Sequence, residues 1–325
     1  MDNRRSFLKK AGLLGTATVL ATPLFSEAME LFSPARKVQE IGLQLYTLRE
    51  QLGKDLKGTI GKVAEIGYNH VETFYNYRAG APVDLWGQSA AEFSALLKSS
   101  GLKTYSGHYQ LNDFLSPGKG DDTALKAQLE IASALGQQYF VVPVPPMGAS
   151  LDKMTSTDFK FMAAQLNKAG ELSAKSKIKM GYHNHFWEFR TLENGEKGYD
   201  ILLKETDPAL VTFEMDLFWI EKSGVSPDAY FKKYPERFAM WHVKDVDKAN
   251  TAKITGGKLD TTSSMEVLKG ISYTEVGTGS INFKEIFTHQ QQAGLKHIFV
   301  EQDMIKIDPF VSITDSYNFV KKNLV

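Results

Sequence analysis

Four segments of this chain set hydrophilic groups directly after runs that read as buried. They are Gly181-Tyr182-His183-Asn184-His185-Phe186-Trp187-Glu188-Phe189, Phe213-Glu214-Met215-Asp216-Leu217-Phe218-Trp219, Met240-Trp241-His242-Val243-Lys244-Asp245 and Ile298-Phe299-Val300-Glu301-Gln302-Asp303. Gln44 with Tyr46, Glu72 and His108 stand in the same relation to earlier apolar runs. Ionised carboxylates buried beside one another are unfavourable unless a cation or protons compensate. A set of one Asp, one His and two Glu suits one divalent ion, Mn²⁺, Mg²⁺, Co²⁺, Fe²⁺ or Zn²⁺, with the oxygen-rich composition leaning toward the harder ions. An ion bridging a hydroxyl and a carbonyl of a substrate polarises the carbonyl and stabilises the enediolate left when the neighbouring proton is removed. That proton needs a carboxylate or imidazole within hydrogen-bond reach, and His183, His185 and His108 are the separate acid or base groups. Reprotonation on the other face gives epimerisation, transfer gives isomerisation, and loss of a β-leaving group gives elimination.

Such groups must be brought together by repeated elements. From Gln39 onward, short β-branched or apolar runs alternate with amphipathic stretches, the pattern of βα units and a parallel sheet. The runs are Glu40 to Tyr46, His70 to Phe74, Lys103 to His108, Gln138 to Pro143, Ile178 to His183, Leu210 to Asp216, Phe238 to Lys244 and Lys296 to Glu301. Eight is the closing number for a single (β/α)8 TIM barrel of α/β class, whose active site lies at the C-terminal ends of the strands. Helical spacing is expected at Leu56 to Ile66, Ala90 to Leu97, Asp122 to Leu135, Thr157 to Ser173, Tyr199 to Lys204, Ala229 to Tyr234, Phe283 to Gln292 and Pro309 to Lys322. Gly67, Gly101, Gly136 and Gly294 each fall where a helix needs a left-handed residue at its end. Lys248 to Gly270 lacks periodicity and reads as a long loop or insertion after the seventh strand.

The first residues read as an address. Asn3-Arg4-Arg5-Ser6-Phe7-Leu8-Lys9-Lys10, an apolar stretch from Ala11 to Phe25 and Ser26-Glu27-Ala28 make residues 1–28 a twin-arginine-type export signal, followed by a barrel domain over 38–325. The expected place is the periplasm, with no stable membrane anchor once the signal is cut. With 38 basic and 38 acidic residues the net charge is zero, which offers no electrostatic footprint for nucleic acid. The absence of cysteine excludes disulfides, thiolate catalysis and Cys-ligated zinc. Homo-oligomerisation is left open.

The His183-Asn184-His185-Phe186-Trp187-Glu188-Phe189, Asp216-Leu217-Phe218-Trp219, His242-Val243-Lys244-Asp245 and Val300-Glu301-Gln302-Asp303 segments, with Gly277-Thr278-Gly279-Ser280-Ile281-Asn282-Phe283, resemble the xylose isomerase-like TIM-barrel superfamily of sugar phosphate isomerases and epimerases. The resemblance implies metal ligands from the fifth to eighth strands, a Glu, an Asp, a His and a Glu. Asp216, His242 and Glu301 match the last three. At strand five Glu188 is the expected ligand, reaching back, with His183 as its substitute. Glu188 and Glu301 then double as ligand-bases. Glu72, His108, Trp219 and Lys244 are expected to bind substrate, Lys244 at a substrate oxygen or in a pair with Asp245 or Asp303. Gly277 and Gly279 read as a turn, with a phosphate nest as the alternative. Export makes an unphosphorylated sugar, a cyclitol or a keto-glycoside the expected substrate, and the function a metal-dependent sugar isomerase or epimerase. One alternative is a lyase that eliminates the aglycone from 3-keto-glycosides at the same metal site. Another, of a different class, is a non-catalytic sugar-binding protein.

Overall fold

The computed structural model describes residues 37–74, 84–147 and 151–325. The export signal falls outside these residues. The apolar runs form strands β1 (Gly42–Gln44), β2 (His70–Phe74), β3 (Lys103–His108), β4 (Tyr139–Val142), β5 (Lys179–His183), β6 (Val211–Asp216) and β7 (Met240–Val243). Next comes a two-stranded antiparallel ribbon, β8 (Asp245–Val246) with β9 (Tyr273–Thr274), and then β10 (His297–Val300). Seven strands pair in chain order from β1 to β7, and β10 closes the ring between β7 and β1. Every pairing in the ring is parallel, so the architecture is a (β/α)8 barrel.

Helices and turns match the sequence reading where the pattern is long. Leu56–Ile66 is helical as expected, and Gly67 ends it at φ 115°. Gly101, Gly136 and Gly294 likewise adopt positive φ, the conformation that favours residues lacking Cβ. The stretch Phe283 to Gln292 departs from expectation by splitting into helices Phe283–Phe287 and Gln290–Ala293, with the Thr288 hydroxyl bonded back to the Glu285 carbonyl between them. The insertion after β7 also differs, because it holds helix Ser264–Lys269, capped by Ser263. A six-residue helix is too short to show periodicity.

Strand alternation sorts side chains between two environments. Outward residues such as Tyr182 and Phe213 join Tyr199 and Phe238 in the layer beneath the helices. Inward residues fill the barrel in tiers. The lower tier is an apolar plug of Val141, Met240 and Phe299, with the His70 ring packed edge-on against Phe299. Gly42 makes room there, since a Cβ at that position would collide with both His70 and Phe299. The tiers on top of the plug are polar, and they build the site.

Candidate active site

The middle tier contains two buried carboxylates, Glu72 and Glu214, among three imidazoles. Register places Gln44 beside Glu72 and Glu72 beside Ser106. Accordingly Gln44 Nε2 donates to Glu72 Oε2 at 2.7 Å and Ser106 Oγ to Glu72 Oε1 at 2.6 Å. Glu214 Oε2 lies 2.8 Å from His108 Nε2, 3.0 Å from His183 Nδ1 and 3.2 Å from His242 Nε2. His242 Nε2 is also 2.7 Å from Glu72 Oε2. With Nδ1 donating downward to Glu214, His183 keeps its Nε2 lone pair for the tier above, whereas His242 turns a ring nitrogen to carboxylates on both sides, Glu72 and Glu214 below and Glu301 above. A carboxylate behind an imidazole is the usual means of fixing a metal-binding tautomer.

The upper tier holds the matching acceptors. Asp216 Oδ2 is 3.8 Å from His183 Nε2 and 4.0 Å from His242 Nδ1, and Glu301 Oε2 is 2.9 Å from His242 Nδ1. Local sequence aims Asp216: its Oδ1 caps helix Leu217–Lys222 by accepting the Trp219 N–H at 2.8 Å. The Asn184 side chain also binds the Asp216 backbone, tying the ends of β5 and β6 together. Asp216 Oδ2 itself is buried and makes no hydrogen bond among the described residues. One cation with ligand bonds of about 2.0–2.2 Å spans donor separations up to roughly 4 Å, so Asp216, His242 and Glu301, whose donor atoms lie within 4.8 Å of one another, are candidate ligands of a divalent ion, and His183 Nε2, which stands 3.8 Å from Asp216, also belongs to a second cluster with His108, Glu214 and His242. Asp216 Oδ2, without a hydrogen bond among the described residues, has the Lys244 ammonium 3.3 Å away as its counter-charge, so the position already favours a cation.

Strand five places His183 beside this cluster. Glu188, the expected ligand, sits in the turn Trp187–Phe189, where its carboxylate accepts from the Tyr182 hydroxyl at 2.6 Å and the His185 N–H at 2.9 Å. Tyr182 is on the outward face of β5, so Glu188 faces the layer beneath the helices and joins neither cluster of potential metal donors. The reason is the period of the strand, which turns His183 inward and Tyr182 outward. Burial pushes Glu188 up to about 7.

The charge balance over the plug is tight. Burial and Glu214 hold the Glu72 carboxyl above its ordinary range. Burial opposes ionisation of Glu214 and Glu301, yet the imidazoles around Glu214, and Lys244 with His242 beside Glu301, keep both well below the carboxylate range. Burial likewise acts against charge on His242, but Glu214 and Glu301 hold it well above an ordinary imidazole. For His108 the carboxylates of Glu72 and Glu214 outweigh burial and raise it. Burial and His242 push His183 down to about 3, and burial lifts Asp216 to about 6. Burial and His183 keep His185 neutral, well below its ordinary value.

These tiers open into a cavity of about 470 Å³ at the C-terminal ends of the strands. His108, His183, His185, Trp219, Lys244 and Glu301 line it, as the sequence reading expects of groups that meet substrate. Glu72 differs: it lies beneath, bound to His242, Gln44 and Ser106. His185 is flanked by the rings of Trp187 and Trp219, with centroids at 4.8 and 5.3 Å, and its Nδ1 has no hydrogen-bond partner among the described residues. Lys244 pairs with Asp303, Asp216 and Glu301 rather than Asp245. Asp245 instead accepts backbone N–H groups from Gly277, Gly279 and Ile281, so the glycine turn holds a protein carboxylate. Sequence reasoning missed Glu214 as a site residue, although it stands two residues before Asp216 and so shares its strand face.

Fold and floor together define a class: a (β/α)8 barrel whose mouth carries a carboxylate and imidazole site suited to a divalent cation. The chain belongs to the xylose isomerase-like TIM barrel family, whose model matches residues 60–304. Inosose dehydratase of Clostridium tetani is 30% identical over 159 residues, 48% of this chain and 51% of that protein, so the chain spans about half the length of that relative. Inosose dehydratase 2 of Bacillus cereus is 26% identical over 239 residues, 72% of this chain and 76% of its own length. A sugar phosphate isomerase/epimerase from Parabacteroides distasonis superposes with a TM-score of 0.67 at 26% identity, covering 88% of this chain and 98% of that one.

Proposed function

We propose that this protein is a divalent-metal-dependent enzyme that removes a proton next to the carbonyl of an unphosphorylated sugar, in the manner of sugar isomerases and epimerases. The observation that carries the reading is the convergence of Asp216, His242 and Glu301, with donor atoms within 4.8 Å of one another and His183 Nε2 3.8 Å from Asp216, next to a cavity that Glu301 and His183 line. A divalent ion held by these residues would polarise the carbonyl and offset the negative charge that develops on its oxygen. The neutral His185 imidazole, which lines the cavity, takes the proton, and Glu301 is the second proton acceptor in the cavity. Trp187 and Trp219 hold His185 in place and offer aromatic surface to a sugar ring.

The charge of the cavity supports a neutral substrate. Its two lining cations among the described residues are Lys244, already shared among three carboxylates, and Arg49, whose guanidinium lies over the Tyr46 ring and donates to the Tyr46 carbonyl. Lys244 is thus already neutralised, and Arg49 is the one of the two without a carboxylate partner among the described residues. The export signal read at residues 1–28 supports a periplasmic site of action, where free sugars and glycosides are met.

Elimination is the second reading, favoured by the dehydratase relatives. One experiment separates the outcomes: metal content by mass spectrometry, with proton-exchange NMR in D₂O on free ketoses and 3-keto-glucosides. The expected result is about one ion per chain and metal-dependent deuterium incorporation, or loss of aglycone, abolished in Asp216→Ala and Glu301→Ala. A chain that takes up no metal after reconstitution and exchanges no substrate is a sugar-binding protein instead.

A further inference from the structure

Two cations lay claim to the same carboxylates in this site. Lys244 Nζ stands 2.7 Å from Glu301 Oε2, 2.9 Å from Asp303 Oδ2 and 3.3 Å from Asp216 Oδ2. Its side chain is 1% exposed, and the rings of Phe218, Trp219 and Tyr273 face the ammonium at 5.5 to 5.9 Å. Glu301 and Asp216 belong to the divalent-cation site; Asp303 does not. A buried ammonium enclosed by carboxylates and aromatic faces is a fixed positive charge, because leaving this nest means losing three ion pairs. A divalent ion entering the same tier meets its repulsion in a medium that screens poorly, and it must share two carboxylates already engaged. Asp303 gives the ammonium a partner that the metal does not need.

We propose that Lys244 is a positioning residue that competes with the metal for Asp216 and Glu301, lowering the affinity of the site and holding these carboxylates together when the ion is out. The inference rests on the metal site assigned under the proposed function. Removing this ammonium is expected to tighten metal binding, whereas a lysine that merely supported the structure would, on removal, leave the affinity equal or weaker.

The test uses the full mature chain stripped of metal with a chelator. Zn²⁺ and Co²⁺ are then titrated in competition with a chromophoric chelator, and thermal melts are recorded with and without the ion. Lys244→Met, which keeps the length and removes the charge, is expected to bind metal roughly tenfold tighter than wild type. Lys244→Arg, which keeps the charge, is expected to stay near wild type. Stripped Lys244→Met is expected to melt below stripped wild type, with the gap closing when metal is added. Lys244→Gln takes the place of the Met variant if that chain does not fold. Equal or weaker metal affinity in a folded, uncharged variant overturns the proposal while leaving the metal site standing. A wild-type chain that binds neither ion overturns the metal site and the competition together, and deuterium exchange by wild type reports separately on the chemistry.

Discussion

His183 and His242 each serve two tiers, one ring nitrogen toward the inner carboxylates and the other toward Asp216 and Glu301. Glu214 therefore matters without touching the cavity, since it fixes which nitrogen of His183 is free. Glu188 is the contrasting residue, acidic and buried but turned away. Its carboxyl is raised by burial from 4.5 to about 7, so folding favours the protonated form. The associated stability is fully present below about pH 4.5 and is lost as pH rises through about 7. Glu188→Gln carries no such penalty, and the stability of wild type relative to the variant should fall between about pH 5 and about pH 8. Urea midpoints at the two pH values check this; a difference that does not change with pH rejects it. Bound metal should be unchanged in the variant, as measured by mass spectrometry.

Short elements after the strands decide where the cavity walls stand. Helix Ser264–Lys269 is pinned by Trp187 Nε1 donating to Ser264 Oγ, by Ser264 N donating to Asp152, and by Arg190 bridging Asp152 and the Thr262 carbonyl. The ribbon of β8 and β9 carries Tyr273 to Lys244, and it is anchored by the Asp245 carboxylate in its nest of backbone N–H groups. A Cβ at Gly279 would collide with the Asp245 carboxylate and the Val246 carbonyl. Gly279→Ala is expected to cost about 2 kcal/mol or more and to lower the melting temperature by several degrees. Gly61 provides the opposite case: it lies inside helix Leu56–Ile66 with no atom near its added Cβ. Gly61→Ala should stabilise by about 0.5–1 kcal/mol. Equal melting temperatures for the two variants would contradict both expectations.

For the whole barrel, the interior tiers carry a cost at low pH. Burial pushes His70 down to about 3 and His297 to about 4, so both are folded as neutral imidazoles. The unfolded chain takes up protons below about pH 6.5, and the stability these residues confer is present above that value and lost as pH falls toward their folded values. Each contributes a slope of up to about 1.4 kcal/mol per pH unit. The denaturation midpoint should therefore fall steadily between about pH 6.5 and pH 4, and His70→Gln should flatten the curve. An unaltered slope in that variant, monitored by circular dichroism, would show that the plug is not responsible.

The linear sequence determined the repeat, the eight strands, the glycines that end the helices, and the positions of Asp216, His242 and Glu301 at strand ends, because alternation and helix termination are local properties of the backbone. It did not determine which nearby acid belongs to the candidate cation site. Glu188 lies closer in sequence to His183 than does Asp216, yet only barrel closure brings β5, β6, β7 and β10 side by side and turns alternate residues inward. The same closure stacks Glu72 and Glu214 beneath the histidines and presses Lys244 against Asp216 at the end of β6 and Glu301 and Asp303 just after β10. These are long-range contacts, set by strand register and by the shared need of buried charges for partners.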